Sequence, residues 1–248
     1  MPIYRRATAM SHSLRRTDPV HHACGDLPQH LGLIPDGNRR WSKAHRTPAR
    51  IGHQHGIDKI PEVLGWCHEA NIPIVTLFTL SVGNLARDPS EQLLDFLERL
   101  VTTLACDTPF QLHPIGRLDL LPATTHNHIT QAAAQTRHHT GMTVNLAIGY
   151  TGRLDILTAL QAALHNPDYQ AGAPLTEELI NQHISTAGQP DPDLIIRTSG
   201  EQRLSGFLTW QAEQAELYFC RRTWPNFRRR DLHRALDDYQ HRHRRYGT

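Results

Sequence analysis

Apolar runs of strand length alternate along this chain with longer segments whose apolar positions recur every three or four residues. Residues 31–35, 74–81, 143–147, 194–197 and 217–219 read as strands, with 111–115 a weaker sixth. Helical patterns lie between them. In 89–104, Leu93, Leu94, Leu97, Leu100, Val101 and Leu104 share one helical face. Alternating β and α elements predict an α/β fold with a mostly parallel central sheet flanked by helices. Such sheets bind ligands outside the carboxyl ends of their strands. The pattern spans 27–248 as one domain. Residues 1–26 are polar, rich in Arg and His and without periodicity, and are expected to be a disordered extension.

The segment from His30 to Trp41 carries the most chemistry. A short apolar strand runs into Pro35-Asp36-Gly37-Asn38-Arg39-Arg40-Trp41, and Gly52-His53 follow. Strand, glycine and helix N-terminus in this order present backbone N–H groups to a phosphate. An acid at the strand end can hold the accompanying cation, and the same acid can also simply cap the helix.

DGNRRW with a downstream Gly52-His53-Gln54-His55-Gly56 resembles the first signature of the cis-prenyltransferases, the undecaprenyl diphosphate synthase family. A second block resembles that family's other signature: Asp193-Leu-Ile-Ile-Arg-Thr-Ser-Gly-Glu-Gln-Arg-Leu-Ser205, continuing to Trp210-Gln211 and Ala215-Glu216-Leu217-Tyr218-Phe219. Two long blocks in the right order are specific, whereas DGN alone is weak. The resemblance runs from about Leu27 to Gly247 and implies the cis-prenyltransferase fold. The implied reaction couples isopentenyl diphosphate to an allylic diphosphate with Mg²⁺ as cofactor.

The resemblance also implies roles. Asp36 is the central catalytic residue and a Mg²⁺ ligand, with Glu216 a second Mg²⁺-associated acid. One diphosphate falls to Gly37, Asn38, Arg39, Arg40, Trp41 and His53, and isopentenyl diphosphate to Arg197, Arg203, Leu204 and Ser205, with Glu201 supporting the loop. Guanidiniums suit this task because their fork matches phosphate oxygens in pairs. A third element, Leu80-Ser81-Val82-Gly83-Asn84-Leu85-Ala86-Arg87, keeps Ser81, Asn84 and Arg87 but has Gly83 and Leu85 where the family usually shows Glu and Trp. Asn84 stands near the proton-removal step in the family. A neutral amide is a poor base, so Asn84 is assigned to positioning or a relay and the base stays open.

Other departures are smaller. Ala49 stands where the family often has Arg, and Asn226 where Asp is common. The block from Asn145 to Asp155 resembles an architectural motif with turns at a strand end. Arg245-Tyr246-Gly247 resembles a tail that, in dimeric members, reaches the partner's site, so a homodimer is implied.

Composition narrows the alternatives. Twenty-six Lys and Arg against 24 Asp and Glu give a net charge of +2, too mild for a dedicated nucleic-acid binder. Cys24, Cys67, Cys106 and Cys220 are scattered and read as reduced structural thiols of a cytoplasmic protein. No apolar run approaches the roughly 20 residues of a membrane span, so no stable membrane insertion is expected. Eighteen histidines form no zinc pattern. Among cis enzymes the chain most resembles the short-chain actinobacterial type, whose expected product is (2Z,6E)-farnesyl diphosphate, with geranyl diphosphate the favoured primer. A longer-chain or irregular-coupling enzyme and a non-catalytic prenyltransferase partner are the alternatives. Retention of the DGN acid and the arginines argues against the last.

Overall fold

A computed structural model describes residues 27–87, 91–167, 169 and 172–242, the side chains of Arg87 and Glu91 excepted. The extension 1–26, Cys24 and the Arg245 tail lie outside the described residues. The strands are β1 (His30–Ile34), β2 (Ile74–Ser81), β3 (Gln111–Ile115), β4 (Thr143–Tyr150), β5 (Leu194–Arg197) and β6 (Glu216–Phe219). The α-helices are α1 (Asn38–Ala44), α2 (Ala49–Glu69), α3 (Val82–Arg87), α4 (Glu91–Asp107), α5 (Ala123–Thr136), α6 (Gly152–His165), α7 (Glu177–Asn181) and α8 (Arg229–Gln240).

The strands form one sheet in the order β3-β4-β2-β1-β5-β6, with every neighbouring pair parallel. Interior strands of such a sheet are covered on both faces, which is why β1 and β5 are apolar runs buried at every position. Pro114 is tolerated because β3 lies at the sheet edge, where one side needs no ladder bonds. One face carries Leu31, Leu33, Val75, Leu77, Leu80, Val144 and Leu146 against α2, α4, α5 and α8. The stripe on α4 buries Leu97, Leu100, Val101 and Leu104, each contributing about 1.5–3 kcal/mol. The other face packs Ile34, Phe78, Ala147, Tyr150 and Ile195 against Leu204, Phe207 and Leu208.

β4 continues past the expected end at residue 147. The strand reaches Tyr150 because Ile148 and Tyr150 pair with Leu80 and Ser81, and Gly149, at a φ of 57°, takes up the register shift between them. Asn145, expected near a turn, is an interior strand residue. Its amide donates to Thr76 Oγ1 (2.8 Å) and Gln189 Oε1 (2.7 Å), and His30 Nε2 meets the same Thr76 hydroxyl at 2.7 Å. This polar group ties three strands together beneath the loop carrying Gln189, each buried polar atom finding a partner. Cys67, Cys106 and Cys220 are free thiols, Cys106 exposed and the other two buried. Burial pushes the Cys67 thiol up to about 12, far from reactive.

Because every strand runs the same way, the loops after β1, β2, β5 and β6 leave from one end of the sheet. The sequence blocks singled out above begin in those loops.

Candidate active site

Asp36 lies two residues beyond β1, beside the end of β5, since Ile34 pairs with Arg197. Its backbone is clamped by Thr198, whose Oγ1 accepts from the Asp36 N–H (2.8 Å) and donates to its carbonyl (2.7 Å). Trp224 N–H donates to the same carbonyl at 2.9 Å. The carboxylate then receives Arg197 at 2.8 Å and Arg40 at 3.2 Å on Oδ2. Burial by itself would raise this acid. Hydrogen bonding and charge from Arg197, a hydrogen bond from Ser199 and the charge of Arg40 outweigh it and hold Asp36 below the ordinary carboxylate range. Asp36 is therefore ionised at neutral pH, and the stability it contributes is lost only as pH falls through that lowered value.

Arg197 is the buried member, its side chain 6% exposed. It donates to Asp36, to Ser205 Oγ (2.8 Å) and to the Arg203 carbonyl, so one guanidinium fixes both ends of the loop after β5. Its Nε has no partner among the described residues. Arg203 points outward and pairs with Glu201. Arg40 bonds Ser199 through the carbonyl (2.9 Å) and the hydroxyl (2.6 Å), and meets Glu201 at 3.0 Å. Ser199, not singled out in the sequence, thus joins the two blocks. Its Ser-Gly dipeptide is a turn signal, but which side chain the turn would receive is visible only in three dimensions.

α1 opens on Gly37, whose φ of 106° belongs to glycine. A Cβ there would also come within 2.9 Å of the Cβ atoms of Ser199 and Thr223. The N–H groups of Asn38, Arg39 and Arg40 form the first turn and lack a carbonyl four residues back, as at any helix start. Gly52 and Gly56 of α2 serve contact between helices. A Cβ on Gly52 would fall 2.2 Å from the Asn38 carbonyl, and one on Gly56 2.5 Å from Asn38 Oδ1. Asn38 Oδ1 is buried and has no partner among the described residues. His53 sits half-buried in the first turn of α2. Trp41 donates to Asn226 Oδ1 (3.1 Å), and its ring stacks on His45 at 4.0 Å and lies 4.6 Å from His55. Neither imidazole contact was expected from the sequence.

Ser81 ends β2, and its Oγ accepts from Asn84 N–H (3.1 Å), capping α3. The Arg87 side chain lies outside the described residues. Leu204 is half-buried in the apolar cluster with Phe78 and Phe207. Asp155 of the middle block accepts from Tyr150, Ser185 and Gln211 and belongs to the framework.

Glu216 is not brought to Asp36 within one chain. It opens β6 and pairs with Leu194, at the opposite end of the sheet from the loop after Arg197, and it is held by Arg242 at 2.6 Å. Among the described residues no group of three or more His, Cys, Asp or Glu side chains converges. One ionised carboxylate among arginines nevertheless fits Mg²⁺, which takes one or two carboxylates and leaves most positions to phosphate and water.

Comparison with known proteins agrees with this geometry. A family model described as putative undecaprenyl diphosphate synthase matches residues 34–247. Isoprenyl transferase 1 of Streptomyces avermitilis is 46% identical over 231 residues, 90% of each chain. (2Z,6E)-farnesyl diphosphate synthase of Thermobifida fusca is 45% identical over 89% of this chain and 90% of its own. A crystal structure of lavandulyl diphosphate synthase from Lavandula x intermedia, in complex with dimethylallyl diphosphate, superposes with a TM-score of 0.83 at 31% identity, covering 90% of this chain and 99% of that one. From its parallel sheet, its site at the strand ends and these likenesses along nearly its whole length, the chain belongs to the undecaprenyl diphosphate synthase family of prenyl transferases.

Proposed function

We propose that this enzyme condenses isopentenyl diphosphate with an allylic diphosphate, geranyl diphosphate favoured, to give (2Z,6E)-farnesyl diphosphate. The observation that carries the reading is the meeting of Arg40 and Arg197, from two distant segments, on the Asp36 carboxylate, with Ser205 and the Arg203 carbonyl both held by Arg197. Relatives named (2Z,6E)-farnesyl diphosphate synthase and short-chain Z-isoprenyl diphosphate synthase support the short product.

The first turn of α1, with Arg39, Arg40 and His53, holds the allylic diphosphate. Arg203 and Ser205 hold isopentenyl diphosphate, and Arg197 keeps their loop in place. Two anions held close together orient the double bond of one substrate toward the allylic carbon of the other. Asp36 would hold Mg²⁺, which when bound would supply charge stabilisation to the departing pyrophosphate. Asn84 and Ser81 position the isopentenyl end, and Trp41 and Leu204 help exclude water from the allylic cation. The enzyme acts as a homodimer. Glu216 on edge strand β6, far from Asp36 of its own chain, is then offered to the neighbouring subunit's diphosphates, as is Arg245. Among the described residues no helix is long and apolar enough to cross a membrane. Free thiols suit the cytoplasm as its compartment.

Incubation with labelled isopentenyl diphosphate and separate C5, C10 and C15 primers tests the reading, and incorporation with none of them would overturn it. Arg203→Lys keeps the charge and loses the fork, so KM for isopentenyl diphosphate should rise well above any change for the allylic primer. Equal rises would exchange the two diphosphate assignments.

Product length is a packing question. Each added isoprene unit gains about 4 kcal/mol by burying five carbons, so growth continues until a side chain blocks it. Leu80 is 3% exposed at the site end of β2, and Leu85, Leu93 and Leu94 pack against the same cluster. Leu80→Ala should shift products from C15 toward C20 and longer, at a stability cost of about 2–5 kcal/mol. Chromatography of dephosphorylated products is the measurement. An unchanged C15 product from folded protein moves the floor to Leu93, Leu97 or Leu100.

A further inference from the structure

The arginines at the mouth of the site are held by a side chain that the chemistry above leaves unused. Glu201 divides its two oxygens between two guanidiniums from different segments. Oε1 lies 3.0 Å from Arg40 on α1, and Oε2 accepts from Arg203 on the loop after β5. A phosphate group would make the same bridge, one oxygen to each guanidinium. The inner pair differs in kind. Arg197 is 6% exposed and bound to Asp36, whereas Arg40, Glu201 and Arg203 are 46%, 32% and 60% exposed. Solvent-screened pairs of the outer sort are weak and readily exchanged, while the inner pair is costly to break.

We propose that Glu201 is an exchangeable counter-ion for the diphosphate. It bridges Arg40 and Arg203 while the site holds no substrate, yields Arg40 to the allylic diphosphate and Arg203 to isopentenyl diphosphate, and competes for the freed guanidinium again when pyrophosphate leaves. Arg40 stays oriented during the exchange by its two bonds to Ser199, and the Arg203 backbone by Arg197. Affinity is thereby lowered on purpose: a site whose Arg40 and Arg203 lacked the Glu201 bridge would hold its pyrophosphate product too long. This inference rests on the reading of the site as a diphosphate site.

The test is the binding of inorganic pyrophosphate to the full-length protein at fixed Mg²⁺, by calorimetry and by stopped-flow dissociation. Glu201→Gln keeps the shape of the side chain and removes the competing charge. It should bind pyrophosphate about fivefold more tightly, the scale of one exposed ion pair, with the gain appearing as slower release. In an Arg203→Gln background the gain should shrink, because one of the two contested guanidiniums is gone. A purely supporting role for Glu201 predicts the opposite sign, since a loosened loop would bind pyrophosphate less well. Unchanged or weaker binding by a Glu201→Gln protein with wild-type thermal stability overturns the proposal and leaves the diphosphate site standing. If the wild-type protein itself does not bind pyrophosphate, both readings fall together.

Discussion

Asp36→Ala is expected to lower kcat by at least about 100-fold, the scale of losing one preorganised electrostatic group. The allylic substrate should still bind, because the first turn of α1 and Arg40 do not depend on the carboxylate for their positions. Arg40 keeps two bonds to Ser199. A second effect follows from burial. Arg197 loses its carboxylate partner at 6% exposure while its Nε is already without one, so the variant should also unfold more easily. Asp36→Asn separates the two effects, since the amide oxygen can still accept from Arg197 but carries no charge for a cation. Its kcat should fall nearly as far with less loss of stability. Steady-state kinetics beside thermal unfolding is the measurement, and near-normal turnover by folded Asp36→Ala would falsify the catalytic assignment.

Gly52→Ala should be as damaging by a different route. The added methyl would sit 2.2 Å from both the Asn38 carbonyl and Ser42 Oγ, and the carbonyl is helix backbone with nowhere to go. α1 must move away from α2, at a cost of about 3 kcal/mol for overpacking. Asn38, Arg39 and Arg40 ride on α1, so activity measured below the unfolding temperature should fall with it. Gly65, in the same helix with nothing within 4 Å of its Cβ position, is the control. Gly65→Ala should stabilise by about 0.5–1 kcal/mol through helix propensity alone. Equal stability of the two variants would show that close approach of the helices is not why glycine stands at 52.

Much of the fold is legible in the chain. The runs at 74–81 and 194–197 coincide with strands, because a strand buried on both faces leaves its mark as a mostly apolar segment, and the weaker run at 111–115 coincides with edge strand β3. The helix stripe from Leu97 to Leu104 is equally plain, its period following from 3.6 residues per turn. Fold class and the two motif blocks are local properties of this kind, and so are the residue types they bring to the site.

Spatial relations among those blocks are another matter. That Arg197 meets Asp36 rather than substrate first, that Ser199 and Glu201 receive Arg40, and that Glu216 faces away from Asp36 all depend on β1 lying beside β5 with Ile34 opposite Arg197. No local pattern encodes that neighbour relation. A strand adjacent in the sheet need not be adjacent in the chain, and here the connection between them passes through three other strands and seven α-helices. The amino-acid sequence by itself therefore determined which residue types the two motif blocks carry. Only the tertiary structure decided which carboxylate neutralises which arginine, because a salt bridge is chosen by distance and burial after the sheet has closed.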